Sequence, residues 1–191
     1  MLRKQYGRQL EGTRRSAKGQ YAERSDLLTA AAAGRGEANP AFGQGQSCDI
    51  GAALRPKEGE LVCGDTMEAF RTEGGVWCLL LADGMGSGEA ARRESALTCR
   101  LLEQFLQAGI EPEAAMKTLN AAMALRGAET GSLTTIDLLT CRPETGEAAF
   151  FKYGPAPSHV KTGGTVRRIT GGTPPAGLRG RGGATRDTLA H

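Results

Sequence analysis

Gly75-Val76-Trp77-Cys78-Leu79-Leu80-Leu81-Ala82-Asp83-Gly84-Met85-Gly86-Ser87-Gly88 is the stretch whose reading decides the fold: seven apolar residues, then a lone carboxylate and a glycine-rich turn. A continuous apolar run of this length bounded by glycines reads as a strand buried on both faces. Asp83 then lies where that strand surfaces, and a bare carboxylate there is costly to desolvate unless a cation or hydrogen-bond donors compensate. This is the first pointer to a metal.

Working outward, Thr72 to Gly75 turns the chain into this strand, and Leu61-Val62-Cys63 upstream reads as a second short strand ending in Gly64-Asp65. Ile50, Ala52 and Leu54 alternate with polar or small neighbours, which predicts another extended segment, and Pro56 to Gly59 supplies a turn. Downstream the period becomes helical. Ala90, Leu97, Leu101, Leu102, Phe105 and Leu106 form one apolar stripe ending at Gly109, and Pro112 opens a second helix with Ala115, Met116, Leu119, Ala122 and Met123 inward. Strands return at Leu133 to Cys141 and Ala148 to Tyr153, followed by a hairpin of His159 to Thr162 and Thr165 to Ile169 about Gly163-Gly164. From Gly171 onward the chain is Gly, Pro, Arg and Thr, too poor in apolar residues to extend a core.

At the other end, residues 1–33 carry Leu2, Tyr6, Leu10, Thr13, Ala17, Tyr21 and Leu28 at three-or-four spacing. The thin stripe predicts a solvated helix that docks onto something else. Gly34 to Pro40 breaks it and begins a linker over 34–45.

The totals narrow the field. The chain has 191 residues, 39% of them hydrophobic, enough for one domain plus an extension. Its apolar runs fall far short of the ~20 residues that cross a bilayer, and the charged N-terminus has no signal-peptide core. Five cysteines, at 48, 63, 78, 99 and 141, show neither CxxC nor CxxH spacing, so reduced thiols of a cytoplasmic protein are expected rather than a disulfide framework or zinc knuckle. Net charge is +5 over residues 1–24, −7 over 25–160 and +5 over 161–191. An acidic body with basic ends argues against a nucleic-acid groove on the main domain and is compatible with a cation site.

Two aspartates at the ends of strands joined by a hairpin can converge, because neighbouring strands lie ~4.8 Å apart. Hard cations such as Mg2+ or Mn2+ favour carboxylate, carbonyl and water oxygens, which Asp65, Asp83 and the Gly84 carbonyl could supply. The plainer reading has Asp83 capping the helix that begins near Glu89 and Asp65 starting a turn. A third reading takes Gly84, Gly86 and Gly88 as a phosphate cradle, but the acid expected ~20 residues later falls at Glu103, inside a helix, and Asp83 would repel a pyrophosphate. His159 reads as a surface strand residue, Cys63, Met85 and Trp77 as packing or turn residues, and Arg92-Arg93 as a solvated helix face.

Gly64-Asp65-Thr66, then Leu81 to Ala91, the helix pair and Ser132 to Leu138 resemble the sporulation protein E subgroup of the PPM (type 2C) metal-dependent serine/threonine phosphatases. Lys152 to Ser158 and Pro174 to Leu178 are similar to that subgroup as well, so the likeness spans roughly residues 46–178. It implies an α+β fold, an αββα sandwich of mainly antiparallel sheets flanked by helices, and two manganese or magnesium ions that activate a water against a phosphoserine. By position, Asp65 would bridge the ions, while Asp83 and the Gly84 carbonyl would serve one of them. The implied substrate and partner is a phosphorylated anti-sigma-factor antagonist, and residues 1–33 would be a regulatory linker helix through which a homodimer forms. Family members continue past Pro-Ala-Gly-Leu with a strand ending in a further Asp-Gly and a later Asp. Here Arg179 to His191 follows instead. It reads as a low-complexity basic tail, a truncation or a shift of frame, in which Asp187 is not expected to be a ligand. Activity would then be impaired, and the alternative is a non-catalytic interaction module that keeps the fold.

Overall fold

The computed structural model describes residues 50–130, 133–178 and 183–189, with side chains left aside over 127–130. The expected helix over 1–33 and linker over 34–45 lie outside the described residues. The elements are β1 (Asp65–Arg71), β2 (Trp77–Gly84), α1 (Gly88–Gln107), α2 (Pro112–Thr130), β3 (Thr134–Cys141), β4 (Ala148–Tyr153), β5 (Ser158–Thr162), β6 (Thr165–Ile169) and β7 (Thr185–Leu189). Five strands form one sheet in the order β1-β2-β3-β4-β7, and β5 pairs with β6 in a separate two-stranded sheet. All pairings are antiparallel. The α+β class with mainly antiparallel sheets is therefore what the chain adopts.

The period-2 pattern of β2 and β3 assigns the faces. Cys78, Leu80, Ala82, Ile136 and Leu138 point to the helices and are buried, while Leu79, Leu81, Asp83, Thr135, Asp137 and Leu139 point the other way and are less covered. Leu81 is 44% exposed, so β2 is not buried on both faces among the described residues, as its apolar run predicts. The helix-side face forms the core with Leu102 and Leu106 of α1 and Met116, Leu119 and Met123 of α2. Removing a side chain such as Leu80, Leu102, Leu119 or Leu138 from water contributes roughly 1.5–3 kcal/mol each, and all four are fully buried. Ala122, expected on the inner face of α2, is exposed, and its place is taken by Asn120, whose Oδ1 accepts a 2.9 Å bond from the Gly177 amide. That bond and the Thr134–Ala176 bridge anchor the Pro-Pro-Ala-Gly segment to the core.

Two strand boundaries differ from the sequence expectation. Residues 50–64 form no strand, and Leu61 is 96% exposed, so the apolar triplet before Asp65 is loop. Asp65 begins a strand rather than ending one. At the far end, Thr185–Leu189 is a strand and not part of an unstructured tail. It is an edge strand, for which polar residues are suitable because only one side is paired. Arg186 lies over the Phe151 ring at 5.8 Å, and Arg167 Nη2 donates to Asp187 Oδ1 at 2.5 Å.

Candidate metal centre

The β1–β2 hairpin turns at Thr72 to Gly75, where Gly75 has φ 83° and its amide donates to the Thr72 carbonyl at 2.9 Å. Fixed by this turn, the register places Asp65 directly opposite Asp83 at the open end of the hairpin. Opposed residues of an antiparallel pair present their side chains on the same face. Both aspartates line one cavity of about 170 Å³, with Thr135, Asp137, Lys152 and Tyr153. The two acids that the sequence singles out are thus brought together.

The cavity floor is held by close packing of this hairpin end on α1. A Cβ on Gly84 would come within 2.2 Å of the Ala91 carbonyl oxygen, and one on Gly64 within 2.8 Å of the Ala91 Cβ. Glycine at both positions lets the strand end sit directly on the helix. Ser95 of α1 completes the clamp: its hydroxyl donates to the Gly64 carbonyl at 2.6 Å and pairs with the Thr66 hydroxyl at 2.7 Å. Arg92 reaches the Asp65 carbonyl at 3.5 Å, so it does not lie on a purely solvated face, whereas Arg93 makes the surface i,i+4 pair with Glu89. Cys63 donates to Asp65 Oδ2 at 3.5 Å.

Electrostatics follow from the juxtaposition. Burial, then a hydrogen bond with Asp65 and the charge of Asp65, hold the Asp83 carboxyl above its ordinary value. Two facing carboxylates resist simultaneous ionisation unless a cation lies between them. Oxygen donors of this kind suit a hard divalent ion. Among the described residues no group of three or more His, Cys, Asp or Glu is placed to hold an ion. Backbone carbonyl and water oxygens would complete a shell begun by Asp65 and Asp83, as such ions accept.

The plainer readings fare less well. The N-cap of α1 is Ser87, so Asp83 caps nothing, and Asp65 is a paired strand residue. The glycine turn already faces a carboxylate: Ser87 Oγ donates to Glu60 Oε1 at 2.6 Å, and a Cβ on Gly88 would meet Glu60 Oε2 at 2.2 Å. A phosphate would compete with that acid for the same space. His159 is exposed on β5, and Met85 is 59% exposed in the turn.

Sequence reasoning missed a second charged group on the same face. Lys152 of β4 is 1% exposed and lies directly opposite Asp137 of β3. Its ammonium donates to Asp137 Oδ2 and, at 2.7 Å, to Ser158 Oγ, and Ser158 also donates to Asp137 Oδ2. The available signal was a lone Asp and a lone Lys, each inside an otherwise apolar strand.

An α+β domain with an acidic pair at a hairpin mouth and a helix pair on one side of an antiparallel sheet has the features expected of a PPM-type phosphatase domain. Comparison with known proteins then narrows the class. Residues 73–189 match the family Stage II sporulation protein E (SpoIIE), more than half of the chain, and the chain belongs to that family. It is 36% identical over 130 residues to stage II sporulation protein E of Priestia megaterium, covering 68% of this chain and 22% of that protein. The chain thus spans about a fifth of that curated relative's length. The PP2C phosphatase domain of SpoIIE from Bacillus subtilis, solved with a fragment of its regulatory domain, superposes with a TM-score of 0.66 at 29% identity, over 73% of this chain and 41% of that one. RsbX in complex with magnesium shares the fold, with a TM-score of 0.58 at 21% identity over 73% of this chain and 66% of that one. Among the described residues no helix is long and apolar enough to cross a membrane.

Proposed function

We infer that this chain is a cytoplasmic protein phosphoserine phosphatase domain whose Asp65 and Asp83, with the Gly84 carbonyl, hold Mn2+ or Mg2+. The observation that carries the reading is the direct pairing of the two aspartates across β1 and β2 on one cavity. Bound there, such a cation would supply an acidified water and offset charge on the phosphoryl group. Asp65 and Asp83 orient it, Gly64 and Gly84 keep the strand ends seated on α1, and Ser95 fixes the Gly64 carbonyl. No side-chain nucleophile is required. The half-covered face bearing Leu79 and Leu81 is where the second sheet of an αββα sandwich would pack.

The magnesium complex of RsbX, alike in fold, supports the choice of ion. The substrate we infer is a small regulatory phosphoprotein of the anti-sigma-factor antagonist type, with dimerisation through the N-terminal segment. A second reading, an interaction module with little turnover, is favoured by Asp187: its Oδ1 is engaged by Arg167, so this acid is committed elsewhere. Phosphate release from a phosphoserine protein, measured with and without Mn2+, separates the two. Mn2+-dependent release that Asp83→Asn abolishes supports the hydrolase. Saturable Mn2+ binding without release supports the module, and neither binding nor release refutes both uses of the site.

A further inference from the structure

The Asp137–Lys152–Ser158 group lies beside the aspartate pair and is not explained by it. Lys152 and Ser158 both donate to the same oxygen, Asp137 Oδ2. The other oxygen, Oδ1, is buried and has no hydrogen-bond partner among the described residues. Buried acceptors in folded proteins are nearly always satisfied, if not by protein then by water or an ion. Asp137 also lines the cavity that Asp65 and Asp83 line.

Register sets the reach. Asp83 opposes Thr135, and Asp137 is two residues further along β3 on the same face. Such diagonal neighbours are roughly 7–8 Å apart, a separation that leaves room for a water between the two carboxylates. A lysine ammonium and a serine hydroxyl on one carboxylate oxygen also fix the rotamer, leaving Oδ1 as the available acceptor.

We propose that Asp137, locked by Lys152 and Ser158, is a positioning residue whose Oδ1 accepts a hydrogen bond from the hydration shell of the divalent cation, and so sets the affinity of the centre. The proposal rests on the reading of Asp65 and Asp83 as the cation site. Lys152 and Ser158 hold the Asp137 carboxylate in place, and Ser158 ties the β5–β6 hairpin to it. The arrangement joins β3, β4 and β5 at one carboxylate.

The test is a Mn2+ titration of the folded chain by electron paramagnetic resonance, which needs no turnover, beside the melting temperature of each metal-free variant. Asp137→Asn is expected to weaken Mn2+ about tenfold, and Ser158→Ala about four- to fivefold, since Lys152 still holds the carboxylate in the latter. A purely structural group would lower the melting temperature and leave Mn2+ affinity within twofold of wild type, and that result overturns the proposal. If Asp137→Asn does not fold, Ser158→Ala decides by the same criterion. If the wild type itself takes up no Mn2+, the parent reading of Asp65 and Asp83 fails and this one with it; wild-type binding that Asp137→Asn leaves unaltered sinks only this one.

Discussion

Replacing Asp83 by asparagine perturbs the account most sharply because it should improve the metal-free protein while disabling it. Two unit charges ~4 Å apart repel by ~1 kcal/mol in water and ~4 kcal/mol at an effective dielectric constant of 20. Asp83 is exposed at the cavity mouth, so solvent screening places the repulsion with Asp65 near the lower figure, ~1 kcal/mol. Its carboxyl is held above the ordinary value of 3.8 by burial and by Asp65. A group whose folded pKa is raised gives stability that is complete below the unfolded pKa and lost as pH rises through the folded one. Metal-free wild type should therefore lose stability as pH climbs upward from about 3.8, and Asp83→Asn should not. At pH 7.5 the variant is expected to melt about 2–4 °C higher in chelator, the shift that ~1 kcal/mol gives a chain of this size. With Mn2+ at 100 times its Kd the wild type gains ~2.7 kcal/mol and the variant almost nothing. Differential scanning fluorimetry across pH 4–8, with EDTA and with Mn2+, reads both effects. A variant that melts lower than wild type in EDTA, or that keeps the Mn2+ shift, refutes the reasoning.

Three further expectations follow from the packing. Gly84→Ala drives a Cβ to 2.2 Å from a backbone oxygen that cannot rotate away, so a loss of about 3 kcal/mol is expected, the upper end for overpacking, read as a lower urea midpoint with an unchanged slope. Lys152→Met leaves the Asp137 carboxylate without its cation and should cost about 3 kcal/mol, and adding Asp137→Asn should recover at least half of it in a double-mutant cycle. Burial pushes the Cys78 and Cys99 thiols up to about 12, so iodoacetamide at pH 8 should label neither in the native chain and both in urea; native labelling would contradict the core assignment.

Much of this architecture was legible because it is local. The apolar run ending at Asp83, the 3.6-residue stripes of both helices, Pro112 at a helix start and the Gly163-Gly164 turn each carry their own signal, and the two glycines take φ 55° and 99° as a primed turn demands. The acidic pair was singled out with the wrong strand: Asp65 was expected to end Leu61 to Cys63, and it is the strand beginning at Asp65 that sets it opposite Asp83. The remainder depended on long-range pairing. Leu61-Val62-Cys63 has the composition of a strand, yet no partner strand lies beside it among the described residues, and β1 begins at Asp65. Thr185–Leu189 looks like tail because an edge strand needs no apolar alternation, and what holds it is pairing to β4 with Arg186 over Phe151. Asp137 and Lys152 lie 15 residues apart and become a buried pair only once β3 and β4 are in register. Ala122 and Asn120 exchanged roles because a backbone amide 57 residues away required a buried acceptor.

The central claim is that Asp65 and Asp83 jointly hold a divalent ion, and a Mn2+ titration of wild type beside Asp65→Asn tests it most directly. The account predicts saturable binding by the wild type and at least a tenfold weaker Kd for the variant, with the fold intact by circular dichroism. Equal Mn2+ affinity in both proteins would contradict it.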